Sequence, residues 1–393
     1  MLSGFAAVSP LGCDHHAPRE AIIESSRRVG ANAVNLDLAR PGHADQKAHF
    51  RHEIKRSLMA PSVTYYNTSS VSMQPVSLWQ GLRGAGAKGQ YLISGTSNTA
   101  GLLQVGAITG VGTSYPVMVP GSASTSVYGP NNLGRGRVQL VGVYRNANSS
   151  TAPVVVNGFL YQGSTRDLPS GGSYRTIDYP GAKYNYVHST MGGLVVGNDD
   201  GPMPGSSLLG PGKAYLYSIA KNRFLTNVVF PGSVSDTAYG IWHNGGSSYT
   251  ICGGYSNASV NNMADQSQPI GQAFLVDYNA ATGRFSHWKS FSAPSGLGGA
   301  NGFTHFEGIS GVTRGVYTLN ADSGQKGSGS PAQGSLVTVK RNPNGTFGNA
   351  SWVNLNYPGI TGVTSSNSVS GNQVVGVVFS TTGEFPFQAT VKP

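Results

Sequence analysis

"TAYGIWHNGGSSYTICGGYSN", residues Thr237–Asn257, decides the fold. It holds two short apolar runs joined by a glycine turn, and the second run carries a glycine at its centre. Runs of this length bounded by Gly, Asn and Ser read as β-strands, and their junction as a hairpin. The same pattern returns along the chain, which makes repetition the first organising fact.

The central glycine recurs as Gly142 in QLVGVY, Gly197 in LVVGND, Gly253 in ICGGYS, Gly315 in TRGVYT and Gly376 in VVGVVF, at spacings of 55, 56, 62 and 61 residues. A third strand follows each of the first four copies, starting at Gly158, Ala214, Ala273 and Ser335, and FPFQATV at Phe385 closes the chain. A fourth strand then runs into a Pro-Gly turn in YRTIDYPG, LTNVVFPG and WVNLNYPG, while HWKSFSAP lacks the glycine. Four short strands per unit make one propeller blade. Counting second strands predicts an all-β, five-bladed β-propeller, with six blades as the fallback. The last unit stops after its third strand, and SYPVMVPG at Ser114 stands alone as a fourth. Pairing these N- and C-terminal strands would complete a blade and remove the open sheet edges. GQYLISG at Gly89 reads as a third strand that competes for the same slot. The mid-strand glycine, having no side chain, is expected to let neighbouring blades approach closely.

The units resemble the bacterial extracellular repeats called the HAF family: NGFLYQG, YRTIDYPGA, TAYGI and LVGVY carry the pattern, over about residues 85–393. The resemblance implies a propeller and an extracellular setting, secreted or at the cell surface. It implies no reaction, because propellers host many unrelated functions.

Composition agrees with a turn-dense β protein. Glycine accounts for 56 of the 393 residues and charged residues for 11%, against about 7% glycine and about 25% charge in ordinary domains. The net charge is +10, with eighteen Lys/Arg against ten Asp/Glu beyond residue 60. Such a body attracts polyanions. The cations are scattered singly and no basic run interleaves with aromatics, which argues against nucleic acid and for an acidic polysaccharide or cell-surface glycan. No apolar stretch is long enough for a transmembrane helix. Residues 1–60 read as a tail outside the propeller of residues 61–393. Within it, MLSGFAAVSPLGC looks like a signal or lipoprotein-like remnant ending at Cys13, with Pro10 out of place for such a site. Cys252, inside the apolar run TIC, reads as a buried small hydrophobe.

In a propeller the loops entering the inner strands surround the mouth of a central channel, the default pocket. Aligning the inner strands brings together Tyr128, His188, Tyr239, Glu307 and Ser365, with His305 competing for the place of Glu307 and Asp236 just ahead of its strand. One chemistry is β-elimination on a uronate: His188 and a tyrosine serve as base and acid, and Arg135 or Arg137 binds the carboxylate. A second is hydrolysis by two facing carboxylates, Asp236 and Glu307. A third is glycan binding without catalysis, with tyrosines and Trp242 stacking on sugars. Unequal residues at aligned positions favour one composite site over repeated lectin sites. Each candidate also has a structural role to play: tyrosine as packing between blades, Asp as a turn former. No cofactor is implied. A Ca²⁺ held by Asp199, Asp200 and carbonyls has no loop signature behind it. No Gly-x-Ser-x-Gly elbow, HExxH, P-loop or dinucleotide fingerprint stands in a fitting context.

Overall fold

The computed structural model describes residues 61–392, apart from 68–69, 72–73, 147–154, 169–170, 203–208, 258–270, 299–301, 326–331 and 382. The expected tail over residues 1–60 lies outside the described residues. The described chain forms six four-stranded antiparallel sheets, each ordered from an inner to an outer strand. Blade I comprises Leu78–Gly84, Tyr91–Ser97, Ala100–Gly106 and Gly112–Val117. Blade II comprises Ser122–Gly134, Arg137–Asn146, Asn157–Ser164 and Ser173–Thr176. Blade III comprises Asn185–Met191, Leu194–Pro202, Leu209–Ser218 and Arg223–Asn227. Blade IV comprises Ser235–Gly245, Ser248–Ser256, Gln272–Asn279 and Arg284–Phe291. Blade V comprises Gly302–Thr313, Val316–Gln325, Gln333–Arg341 and Phe347–Asn354. Blade VI takes Gly362–Ser370, Gln373–Ser380 and Gly383–Lys392 from the C-terminus and Ser62–Asn67 from the start of the described chain.

The count of five is therefore corrected to six. SYPVMVPG is no orphan: Gly112–Val117 is the outer strand of a complete blade, and GQYLISG supplies that blade's second strand instead of a third. Blade I escaped notice because its second and third strands meet through a turn of two residues, Asn98 and Thr99, with Asn98 at φ 52°. No loop announces the unit. Closure does join both ends of the propeller in one blade, but through Ser62–Asn67, whose Val63 and Tyr65 pair with Val391 and Ala389. Tyr65 packs on Tyr357 and Phe387, with ring centroids 4.7 and 5.7 Å away, and its hydroxyl donates to the Leu355 carbonyl at 2.8 Å.

The core lies between blades, in six clusters of buried side chains. The cluster between blades III and IV, for example, joins Leu194, Val196 and Leu216 to Ile241, Ile251 and Phe274. Alternation along each strand puts one side chain on each face of the sheet, so both faces of a blade can be apolar.

The repeated glycine has a local cause. Each inner strand carries a register shift, at Trp79/Gly81, Val127/Gly129, Val187/Ser189, Ala238/Gly240, Phe306/Gly308 and Ser366/Ser368. Opposite the shift sits the central residue of the second strand. A Cβ on Gly142, Gly197, Gly253 or Gly376 would collide with the carbonyl of Ser126, Tyr186, Thr237 or Ser365 on the inner strand. Gly95 holds the same place in blade I against the Leu78 carbonyl. The expected close approach between blades is corrected: the crowding is within a blade, against its own inner and third strands. In blade V the position pairs with Phe306 and belongs to Ala321; Gly315, with φ 74°, merely makes the preceding turn. Replacing Gly253 with Val should destabilise the fold by about 3 kcal/mol, because the second strand cannot retreat from the inner one. Urea unfolding followed by circular dichroism measures this, and a loss under ~1 kcal/mol would contradict the origin given for the glycine.

Candidate active site at the channel mouth

A β-bulge leaves one residue out of the ladder and re-aims its side chain. The residues left over at the six shifts are Gln80, Tyr128, His188, Tyr239, Glu307 and Asn367. Gln80, Tyr128, His188, Tyr239 and Glu307 line one cavity, together with Arg83 and Ser368. Each of the six is followed by a small residue: Gly81, Gly129, Ser189, Gly240, Gly308 or Ser368. A Cβ on Gly81 would strike the Tyr128 carbonyl, and one on Gly129 would lie 2.5 Å from the His188 carbonyl. The small residue lets the neighbouring inner strand close in around the axis.

The ring is aromatic on one side. His188 stacks on Tyr128 with centroids 5.4 Å apart and meets Tyr239 edge-on at 4.6 Å. Tyr239 in turn lies 5.4 Å from His305. The His188 Nε2 sits 2.7 Å from the Asn198 Oδ1, which favours the tautomer protonated at Nε2. Burial pushes the His188 imidazole down to about 4, so it is neutral at ordinary pH. Burial pushes the Tyr128 phenol up to about 12, a shift partly opposed by a hydrogen bond with Gln80.

Blade V supplies the charge. Glu307 Oε1 lies 2.5 Å from His305 Nε2, and the two side chains are 15% and 7% exposed. Burial works to lower the His305 imidazole, but the Glu307 carboxylate outweighs it and the net shift is upward. Asp322 is the cross-strand partner of His305. Its Oδ2 accepts from Ser365 Oγ at 2.6 Å and its Oδ1 from the Ser366 amide at 2.8 Å. Burial, reinforced by the Glu307 charge, pushes this carboxyl up to about 7.

Several expected site residues are elsewhere. Asp236 accepts from the Phe230 amide at 2.9 Å and from Ser233 Oγ at 2.6 Å, which ties down the Pro-Gly turn before its strand. Thr125, Asn185, Thr304 and Thr364 make the equivalent bond to the amides of Val119, Tyr179, Ala293 and Tyr357. Asp236 is one of a series of turn staples and does not face Glu307 across the channel. Ser365 is displaced from the ring by Asn367, two residues on, and serves as a donor to Asp322. Arg135 and Arg137 are exposed beside the hairpin that joins the inner and second strands of blade II, at the far end from the mouth. Trp242 also sits beyond the ring toward that far end, packed on Gly311. Asp199 is buried on the second strand of blade III, and the side chain of Asp200 lies outside the described residues.

Sequence reasoning missed Gln80, Asn367, Asp322 and Arg83. The first two were findable from the small residue that follows every ring position. Arg83, three residues past Gln80, is only 8% exposed. Its guanidinium crosses the channel to donate to the carbonyls of Ile309 at 2.7 Å and Ile241 at 3.0 Å and to Ser189 Oγ at 3.3 Å, and it lies 5.6 Å from the Trp242 ring. Burial lowers its pKa to about 10, which leaves it charged at neutral pH. It ties blade I to blades III, IV and V through the axis. Arg83→Met strands these acceptors and should cost about 2–4 kcal/mol in urea unfolding. A variant as stable as the parent would show the bonds to be dispensable.

No family model matches the chain, and no curated protein does. Solved structures do. A puromycin hydrolase aligns with a TM-score of 0.40 and 14% identity over 78% of this chain and 42% of its own. A GH43 β-1,3-galactosidase gives 0.40 and 9% over 74% and 97%. The xylan β-1,4-xylosidase from Bacillus halodurans C-125 gives 0.36 and 8% over 69% and 55%. This chain thus spans about two fifths of the length of the puromycin hydrolase. At such identities and scores the likenesses carry no argument about activity.

Proposed function

We propose that the protein is a carbohydrate-active propeller that cleaves an acidic polysaccharide by β-elimination at the channel mouth. The observation that carries this is the composite ring: six bulges deliver six side chains that are not equivalent, with a neutral imidazole between two phenols. In this reading the His188 lone pair takes the proton beside the uronate carboxylate. The bond to the leaving oxygen breaks as the double bond forms, and the Tyr239 hydroxyl protonates that oxygen. The Gln80 amide, which lines the cavity, holds the carboxylate, and this acidifies the proton to be removed. Hydrolysis is less well supported, since the pair of facing carboxylates it requires is not formed among the described residues: Asp236 is bound to its turn, and Asp322 lies beside Glu307 in the same blade. The positive body and the HAF-like repeats are in keeping with an extracellular polyanion as substrate.

The test is a screen of acidic polysaccharides, read by the ultraviolet absorbance of the unsaturated product. Absorbance that rises with the parent protein and is lost in His188→Ala is the expected result. New reducing ends without absorbance point to hydrolysis. Binding without either product leaves a glycan-binding propeller and ends the enzymatic reading.

A further inference from the structure

The cluster His305, Glu307 and Asp322 is built like a ligand set. Each can offer one atom, and the three atoms lie within 4.8 Å of one another. They come from adjacent strands of one blade: His305 and Asp322 are cross-strand partners, and Glu307 follows His305 two residues on, at the bulge. The bulge is what lets two residues of one strand converge. Three further observations point to a bound cation. His305 is 6% exposed and its Nδ1 has no hydrogen-bond partner. No Lys or Arg forms an ion pair with either carboxylate among the described residues, so an imidazole is the only positive partner for two largely buried acids. Asp322 is held from behind by Ser365 and Ser366, in the manner of the outer-shell donors that orient metal-binding carboxylates.

We infer that His305, Glu307 and Asp322 form a binding site for a divalent ion of the zinc class. One imidazole and two carboxylates give a mixed nitrogen and oxygen set suited to Zn²⁺ or Mn²⁺, whereas Ca²⁺ takes six or more oxygens. The ion replaces the proton shared by His305 and Glu307 and supplies the positive charge that the two carboxylates lack. This inference concerns binding alone and stands whether or not the protein cleaves a glycan.

The experiment uses the full chain, stripped with a chelator and titrated with ZnCl₂, MnCl₂ or CaCl₂ by isothermal calorimetry. One zinc per chain is expected, weakened by at least ~10–100-fold in Glu307→Gln and in Asp322→Asn, with calcium much weaker than zinc. Asp322→Asn keeps an acceptor for Ser366, and thermal melting of the metal-free proteins checks that both variants fold. Zinc bound equally well by both variants would overturn the site, because five histidines lie between residues 14 and 58 and could hold the ion instead. X-ray absorption at the zinc edge of the parent protein decides independently of any variant. A shell with one imidazole and oxygen donors supports the site, and a shell with two or more imidazoles rejects it.

Discussion

A chain that starts at Ser70 is expected to melt at least ~10 °C below one that starts at Pro61. The difference between the two is the outer strand of blade VI, six residues long and paired with Gly383–Lys392 along its whole length. Removing it exposes the edge of Gly383–Lys392 and the surface that Val63 and Tyr65 cover. Two half-buried side chains contribute roughly 1 kcal/mol each, and the lost ladder and the Tyr65 hydroxyl bond add to that. The strand also clasps the ring, since it brings the beginning of the described chain into the blade that ends it. An unpaired edge invites association between chains, so light scattering should rise with concentration in the shorter form. Equal melting temperatures would mean that the ring closes without its clasp.

His188→Ala is expected to lower the rate of glycan cleavage by about 10²–10⁴-fold if its imidazole is the base. Because burial holds that imidazole at about 4, the parent's activity should climb as pH rises through about 4 and stay level above it. The same shift has a stability consequence, with a definite sign. The folded pKa lies below the ~6.5 of an unfolded histidine. The contribution is complete above about pH 6.5 and is lost as pH falls through about 4. Over that window the shift is worth up to ~3 kcal/mol, so the parent should lose more stability than His188→Ala between pH 7 and pH 4. Asp322 acts oppositely: its carboxyl, pushed up to about 7, favours the folded state at low pH and less so as pH rises through that value. Comparing variant with parent at each pH isolates the histidine. Parallel stability curves would remove the buried neutral imidazole from the argument.

The propeller was legible because a steric constraint repeats. A carbonyl turned toward the second strand excludes a Cβ, and so Gly142, Gly197, Gly253 and Gly376 mark the blades. Two blades were misread, and one of them was lost from the count. In blade V the position belongs to Ala321, which carries a Cβ, so the glycine mark is missing there, and a turn glycine nearby offered a false register that left the count unchanged. In blade I the glycine is present at Gly95, but strands of six or seven residues with tight turns left too little sequence around it to resemble the rest. The ring was partly legible for the same reason. Tyr128, His188, Tyr239 and Glu307 fall out of aligned strands, while Ser365 was chosen over Asn367, although Asn367 stands three residues past Thr364 just as the other four stand three past Thr125, Asn185, Asp236 and Thr304. Asp236 looked like chemistry in isolation and proves to be one member of a set once Thr125, Asn185, Thr304 and Thr364 are seen beside it. Arg83 had no pattern to betray it: a single cation serves three other blades at once, and that is a property of the closed ring.

Arg83 also sets the traffic of the molecule. With a guanidinium spanning the axis just past the ring, the channel is crossed from within at that level. A polymer cannot be threaded through it from face to face. Whatever reaches the ring from the mouth must leave by the same way, so a long glycan would have to lie across it and not through it.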